Sequence, residues 1–207
     1  CNGIVTGLYE YWACYHPAFP EKTIFIPFPI RPKHDVCIRP HTGKLKLFIG
    51  INKTRSEYKG TDIMLKAAQD VARRYPDRVE LRIAESVPFA EYVKLMEGSD
   101  AILDQLYSYT PSMNPLEAMS KGIICIGGGE EENYQILDET ELRPIINVQP
   151  SYESVVHELE ALALHPERIN TLKQQSVEYI GRHHDYIKVA RQYEKFYRSL
   201  LTDGENK

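Results

Sequence analysis

The sequence predicts an α/β fold, a mainly parallel sheet with helices on both faces. From Lys44 to the end of the chain, short apolar stretches of strand length alternate with amphipathic stretches of helical length. Proline or glycine stands at many of the junctions, as expected where helices begin and end. Strands and helices that alternate in this way are typical of a parallel sheet covered on both faces. The chain has 207 residues, 43% of them hydrophobic, and can therefore bury a sizeable core as one domain or slightly more.

The repeat opens with an apolar run that predicts a strand over 44–50. A helix over about 60–75 follows, because apolar residues recur there at every fourth position, and Pro76 ends it. Charged and apolar residues alternate over 78–83, which is the period of a strand with one less buried face. A second helix is predicted over 88–98, between a proline and a glycine.

Residues 100–129 form the centre of the predicted fold. An apolar strand over 101–103 leads into a polar turn, and a short helix is expected to begin at Pro115 and to close at Gly122. A second apolar strand, 123–126, ends in a glycine loop. The remaining elements are a strand over 145–148 and helices over about 151–164, 167–180 and 184–201.

Residues 1–43 differ from the rest, since six of the 13 prolines lie there. We expect no helix in this segment, because proline at that density interrupts helical hydrogen bonding. The run from Thr23 to Ile30 predicts a short buried strand that continues as an extended, proline-punctuated crossing.

Composition excludes several classes of function. The net charge is −4 with no block of Lys or Arg, so we predict no nucleic-acid partner. No apolar run approaches the roughly 20 residues of a transmembrane helix. The four cysteines form no CxxC pair, which indicates a reducing compartment, and we predict a cytoplasmic protein. No cluster has metal-ligand spacing, and neither dinucleotide nor P-loop motifs occur, so we predict no metal and no cofactor.

In parallel sheets, ligands bind at the carboxyl ends of the strands. The loops expected there are 50–60, 84–88, 105–114 and 127–133. The helix start after Ser112, Met113 and Asn114 offers free N–H groups that attract anions, and we expect Glu117 in its first turn as a hydroxyl acceptor. An anion site beside a hydroxyl acceptor favours a phosphorylated sugar or a nucleotide.

The run from Pro115 to Ile126, PLEAMSKGIICI, followed by GGGE, resembles the donor-site signature of retaining nucleotide-sugar glycosyltransferases, the GT-B group with two Rossmann-like domains that includes glycogen synthase. The resemblance implies that Glu117 holds the ribose hydroxyls. The group usually has a glutamate eight residues earlier that contacts the donor sugar, where this chain has Tyr109. It also implies metal-independent transfer from a nucleoside diphosphate sugar to an acceptor hydroxyl, in surface polysaccharide or glycoconjugate synthesis.

The loop from Gly50 to Thr61 resembles the group's second signature, in which a base and a Lys-Gly pair cradle the donor diphosphate. Lys59 is then the lysine of the pair, and Arg55 is favoured over Lys53 as the second base. Both would stabilise the departing diphosphate as catalytic residues. Together, the helix start and the two signatures predict as donor-binding residues Glu117, Ser112, Met113, Asn114, Gly60 and Gly50.

The resemblance also divides the chain. Residues 1–43 would be the tail of an amino-terminal domain and a linker, 44–183 the donor-binding Rossmann-like domain, and 184–207 a helix that crosses back toward the first domain. The partner is then an amino-terminal domain that binds the acceptor, through which a peripheral membrane contact could also be made. The 207 residues alone would bind donor without transferring sugar.

Other interpretations stay open at this point. The loop charges at Lys59 and Arg55 could be solvated, Glu117 could cap its helix, and Asp104 could serve the turn or orient loop residues. The glycines at 127–129 could form a turn or approach the donor. The last helix could pair with another copy of the chain. A sugar-nucleotide epimerase and a non-catalytic nucleotide-binding regulatory module are the alternative functions.

Overall fold

A computed structural model describes residues 1–32 and 37–205. Residues 33–36 of the predicted linker and 206–207 of the predicted last helix lie outside the described residues. The strands are β1 (Ile4–Thr6), β2 (Thr23–Phe25), β3 (Leu45–Ile51), β4 (Val79–Glu85), β5 (Ala101–Leu103), β6 (Ile124–Gly127) and β7 (Ile146–Asn147). The helices are α1 (Tyr9–Tyr15), α2 (Ser56–Lys59), α3 (Thr61–Arg74), α4 (Phe89–Met96), α5 (Met113–Met119), α6 (Glu131–Gln135), α7 (Tyr152–Leu164), α8 (Glu167–Tyr179) and α9 (Tyr186–Glu205). A 3₁₀ turn, Lys53–Arg55, precedes α2, and a π-helical segment, Ile180–His184, joins α8 to α9.

The main sheet has five parallel strands in the order β4-β3-β5-β6-β7. After a strand, the chain passes through a helix and re-enters the sheet as a parallel strand, as the alternation of apolar and amphipathic segments predicts. The order places β3, β5 and β6 at the centre, so the loops that follow these three strands emerge side by side.

Side chains of alternate strand residues pack into layers on opposite faces of the sheet. Leu47 and Ile49 of β3 face a core shared with α3 and α7. Phe48, between them, faces the other layer with Ile102 and Met96. The fold class predicted from the sequence, a parallel sheet covered by helices on both faces, is therefore confirmed.

The amino-terminal unit, defined as residues 1–30, is separate from this sheet. Its strands β1 and β2 pair in parallel with each other, and α1 connects them. The expectation of no helix in this segment was wrong. The first proline of the chain is Pro17, so all the prolines lie after α1 and none interrupts its hydrogen bonds.

The chain crosses between the amino-terminal unit and the main sheet at two neighbouring points. Ile30 N–H donates to the His184 carbonyl over 2.7 Å, and Tyr186 N–H donates to the Ile30 carbonyl over 3.0 Å. Ile30 and Asp185 thus form a parallel β-bridge. Helix α9 then packs against the amino-terminal unit, because a Cβ at Gly3 would come within 2.5 Å of the Phe196 ring.

His184 is buried at this crossing with its Nδ1 2.9 Å from the Phe28 carbonyl oxygen. Burial lowers the pKa of His184 to about 4 from an ordinary value of 6.5, and the neighbouring His183 acts in the same direction. The imidazole is therefore neutral in the folded chain at neutral pH, and its Nδ1–H donates to the carbonyl.

We expect His184 to make the chain less stable as the pH falls. Between about pH 6.5 and 4, His184 is protonated in the unfolded state but not in the folded state. The free energy of unfolding therefore decreases as the pH falls through this window. His184→Asn keeps a donor near Phe28 without titrating. Between pH 7 and 5, urea unfolding should show about 1–2 kcal/mol less pH dependence in this variant. The control is exposed His157→Asn, and an unaltered pH dependence in His184→Asn would contradict the assignment.

A buried ion pair joins residues 39–41 to the amino ends of β3 and β5. Lys173 Nζ of α8 donates to Asp100 Oδ1 over 2.7 Å and to the Arg39 carbonyl over 3.0 Å. Asp100 Oδ2 accepts from Lys46 N–H, and His41 Nδ1 lies 3.0 Å away. Asp100 and Lys173 are each 4% exposed. Burial acts to raise the pKa of Asp100, but these partners hold it below its ordinary value.

Among the residues that the structure describes, no helix combines the length and the apolar character that crossing a membrane requires.

Candidate functional site

The loops after β3 and β5 meet at the carboxyl edge of the sheet and hold the predicted Lys-Gly pair. Gly60 closes α2 with φ of +70°, and the Lys59 carbonyl accepts from Leu106 N–H over 2.9 Å. A Cβ at Gly60 would lie 2.9 Å from Leu106 Cβ. Glycine is therefore needed at position 60 both for its backbone conformation and for this contact, and Lys59 is fixed where it can face the β5 loop.

Asp104 follows β5 directly and is 5% exposed. Burial raises the pKa of its carboxyl group above the ordinary value, while the Lys59 ammonium and the side chains of Asn114 and Ser112 offset part of that rise. Asp104 thus lies among three of the residues predicted to bind the donor. Of the two roles left open by the sequence, this placement supports the orientation of loop residues.

Tyr92 of α4 completes the polar group beneath the start of α5. Asn114 Nδ2 donates to Tyr92 Oη over 2.8 Å, and burial raises the pKa of Tyr92 to about 12. A Cβ at Gly50 would lie 2.3 Å from the Tyr92 ring. The structure therefore gives Gly50 a packing role that makes room for Tyr92, and its contact with the donor stays a prediction.

Helix α5 begins two residues earlier than predicted. Ser112 is its N-cap residue and Met113 its first helical residue, which makes Pro115 the third. Proline fits at this position because the first N–H groups of a helix have no intrahelical acceptor. The free N–H groups at the helix start are accordingly those of Met113 and Asn114. Met113 is 48% exposed at this edge.

Glu117 is the fifth residue of α5, so its expected place in the first turn was wrong. Its Oε1 lies 3.1 Å from Lys121 Nζ, one turn further along the helix, and the carboxylate is 39% exposed. The pairing directs the side chain toward the carboxyl end of α5, and no capping contact with the helix start is made. A ribose at the helix tip would have to draw this carboxylate away from Lys121.

Of the bases in the first loop, Arg55 and Lys53 are both exposed. Lys53 Nζ lies 3.4 Å from Glu85 Oε1. Within residues 1–32 and 37–205, Arg55 has no ion-pair partner. A ligand phosphate therefore meets less competition for Arg55 than for Lys53.

The glycines at 127–129 allow two loops to pack closely. A Cβ at Gly128 would lie 1.7 Å from the Ser108 carbonyl oxygen, and one at Gly127 would lie 3.1 Å from that of Gln105. The backbone after β6 therefore supports the loop after β5. The structure explains these glycines by packing between loops, whereas the sequence left a turn and a close approach to ligand as alternatives.

A separate cavity of about 500 Å³ lies at the opposite edge of the sheet, lined in part by Arg39, Lys46 and Lys121. The carboxyl ends of α4 and α5 border it at Gly98 and Gly122. Helix carboxyl ends present carbonyl oxygens and favour cations, so the basic side chains there complement the helix ends. We therefore place the candidate site at the carboxyl edge of the strands. In the part of the chain that the structure describes, no three or more His, Cys, Asp and Glu side chains are grouped so that they could hold a metal ion.

Sequence reasoning missed Glu10 and Tyr92 at this edge. Glu10 of α1 contacts the loop after β5 from nearly 100 residues away, a distance that no local pattern reveals. In the sequence, Tyr92 looks like any other residue of an amphipathic helix. The one indication of its place at the site is Gly50, which lacks a side chain and so makes room for the Tyr92 ring.

Comparison with known proteins gives one family and many structures of similar fold. The family described as Glycosyl transferase-like matches residues 52–195. No curated protein sequence matches the chain. The pneumococcal O-GlcNAc transferase GtfA, solved with UDP and GlcNAc, is 12% identical, with a TM-score of 0.68 over 97% of this chain and 45% of that one.

Two further structures are similar. Sucrose-phosphate synthase from Thermosynechococcus elongatus is 14% identical, with a TM-score of 0.65 over 96% of this chain and 58% of that one. HepE from Anabaena, in complex with UDP and glucose, is 11% identical, with a TM-score of 0.66 over 96% and 64%. The chain thus spans about half the length of the structures it matches. Its parallel sheet is that of the Rossmann-like carboxyl-terminal domain of GT-B glycosyltransferases.

Proposed function

The chain belongs to the glycosyl transferase-like family, and from this we propose that it is the donor-binding half of a two-domain glycosyltransferase. It would bind a nucleoside diphosphate sugar and present the sugar to an acceptor hydroxyl. GtfA and HepE were solved with UDP, and we extend that class of donor to this chain. Retention of configuration, a cytoplasmic location and a role in polysaccharide or glycoconjugate synthesis belong to the same proposal.

The observation that carries the proposal is that Lys59 is bonded to the loop that leads into α5, because its carbonyl accepts from Leu106 N–H. Both lie at the carboxyl edge of the central strands, and Lys59 is near enough to Asp104 to influence its pKa. Negative charge grows on the diphosphate as the bond to the sugar breaks. Lys59, Arg55 and the N–H groups of Met113 and Asn114 would stabilise that charge without a metal ion.

Exposed aromatic side chains at the same edge suit the flat parts of such a donor. Tyr58 is 81% exposed after β3, Phe89 is 76% exposed after β4, and Tyr107 is 55% exposed after β5. Aromatic rings stack on nucleobases and on the apolar faces of sugars. The aromatic rings and the cationic groups together match the two halves of a nucleotide.

Two other functions share this architecture. A sugar-nucleotide epimerase would need an acid and base pair at the site, and Asp104, the carboxylate that the Lys59 ammonium influences, is buried among loop residues. A regulatory nucleotide-binding module would need only the donor contacts, and Tyr109 in place of the family glutamate fits that function as well. Turnover by the two-domain protein separates the transferase from the module.

The proposal is tested by titrating the 207-residue chain with UDP, GDP and ADP in a calorimeter, and by assaying sugar release and transfer. We expect one diphosphate to bind and no sugar to be transferred, because the acceptor-binding residues would come from a preceding domain of the kind that lengthens the similar structures. Reaction requires donor and acceptor held together. Binding of none of the three would contradict the proposed function, and transfer by the chain alone would contradict its division into two domains.

Glu117→Gln is expected to weaken the binding of a ribonucleoside diphosphate by about 1.5 kcal/mol, roughly tenfold, and to weaken the binding of its dideoxyribose analogue much less. The reason is that a carboxylate accepts from both ribose hydroxyls more strongly than an amide does. Calorimetry with both nucleotides measures the difference. Lys121→Met is the matched control, since it removes the present partner of Glu117 and leaves the ribose contact intact. Equal losses for the two nucleotides would assign Glu117 a structural role.

A further inference from the structure

Glu10 joins the amino-terminal unit to the loop that leads into α5. Its Oε1 lies 2.6 Å from Ser108 Oγ and accepts from Tyr109 N–H over 2.6 Å. Its Oε2 accepts from Thr110 Oγ1 over 3.2 Å. One carboxylate thus engages three consecutive residues that are about 100 positions away along the chain. Hydrogen bonds to a charged acceptor are among the stronger ones in proteins.

A second contact lies next to the first. The rings of Tyr9 and Tyr109 have their centroids 5.5 Å apart at an angle of 45°, a tilted arrangement that is favourable for aromatic pairs. Neighbouring residues of α1 therefore contact both the backbone and the side chain of Tyr109.

The loop is held from its other side as well. Glu130 N–H donates to the Tyr109 carbonyl over 3.2 Å, and Gly128 packs against the Ser108 carbonyl. Residues 108–110 therefore lie between α1 and the loop after β6. The loop after β6 comes from the same sheet as residues 108–110, whereas α1 belongs to the amino-terminal unit. The contacts that α1 makes with residues 108–110 therefore depend on the position of that unit.

The held residues lead directly into the candidate site. Ser112, the N-cap residue of α5, follows Thr110 by two positions, and Met113 and Asn114 carry the free N–H groups. A displacement of residues 108–110 would move these groups relative to Lys59. The contact made by Glu10 therefore acts on the geometry that a diphosphate would meet.

We propose that Glu10 is a positioning residue for the donor, and that donor binding and the contact of α1 with residues 108–110 strengthen each other. The inference rests on the proposed function, since it takes the α5 start as the diphosphate site. Coupling of this kind is reciprocal: whatever factor the contact adds to donor affinity, the donor adds to the contact. The amino-terminal unit thereby takes part in donor recognition without touching the donor.

The test uses Glu10→Ala, Glu10→Gln and the control Glu21→Gln, an exposed carboxylate of the same unit. Calorimetry with UDP, GDP and ADP gives the dissociation constants, and hydrogen exchange measured by mass spectrometry follows peptides 8–16 and 105–112. We expect a five- to tenfold weaker affinity in Glu10→Ala. A smaller loss is expected in Glu10→Gln, whose amide oxygen can still accept from Tyr109 N–H. The control should match the wild type.

Hydrogen exchange supplies a result that a merely structural contact would not give. Nucleotide should slow exchange in peptide 8–16 of the wild type and leave that peptide unchanged in Glu10→Ala. Two results would overturn this inference alone, provided that the wild type binds nucleotide. One is a dissociation constant in Glu10→Ala equal to that of the wild type, and the other is a peptide 8–16 that nucleotide does not protect in the wild type. Failure of the wild type to bind any of UDP, GDP and ADP would overturn the proposed function and this inference with it.

Discussion

Replacing Lys173 with methionine is expected to lower the free energy of unfolding by about 3–5 kcal/mol, because it leaves the buried Asp100 carboxylate without its ammonium partner. The remaining partners of Asp100, Lys46 N–H and His41, do not replace a full positive charge at 2.7 Å. Urea unfolding at pH 7 measures the loss. Exposed Lys94→Met is the control, with an expected change below about 0.5 kcal/mol.

The acid dependence of this loss distinguishes a charge effect from a packing effect. The folded pKa of Asp100 is depressed, so the ion pair contributes above the unfolded pKa of 3.8, and that contribution is lost as the pH falls through the folded pKa. In Lys173→Met the carboxyl group takes up a proton more readily on folding. The gap between wild type and variant should therefore narrow toward acid pH, and Asp100→Asn should recover part of the stability of Lys173→Met. A constant gap would assign the loss to packing.

Lys59→Ala is expected to weaken nucleoside diphosphate binding by about 1.5–3 kcal/mol, roughly ten- to 150-fold, because a charge-assisted contact with the diphosphate is lost. Calorimetry measures the affinity, and thermal unfolding checks that the fold is kept. An unchanged affinity would falsify the placement of the diphosphate at the Lys59 loop.

Two further substitutions in the same loop identify the second base. Arg55→Ala should also weaken binding, whereas Lys53→Ala should not, since Lys53 already pairs with Glu85. The two side chains leave the same 3₁₀ turn, so a difference between them reports on the ligand rather than on the folding of the loop. The opposite ranking would make Lys53 the diphosphate ligand.

The parts of the fold that could be predicted from the sequence are those with local periodicity. Leu47, Phe48 and Ile49 alternate between two layers, and apolar residues recur at every fourth position along α3. Both patterns follow from the side-chain periods of strands and helices. The glycosyltransferase resemblance drawn from the run at Pro115–Ile126 is confirmed by the family match. Retention and the roles of individual site residues stay predictions.

The parts that could not be predicted depend on contacts between distant residues. Lys173 and Asp100 are 73 positions apart, and Glu10 and Tyr109 are 99 apart, so no local pattern links them. Helix α1 was missed because proline content was averaged over 43 residues although the prolines follow the helix. The place of Glu117 shifted by half a turn because Pro115 is accommodated at the third helical position as well as at the first.

The bridge between Ile30 and Asp185 has a mechanical consequence. The two segments that connect the units run side by side at Ile30 and Asp185 and are hydrogen-bonded to each other there, as the two strands of a hinge would be. Two bonded segments resist sliding past one another but can twist together about their common axis. We therefore expect the relative motion of the two units to be mainly a rotation about this common axis. A rotation of this kind would move α1 relative to residues 108–110, so the contacts of Glu10 would limit how far the donor edge opens.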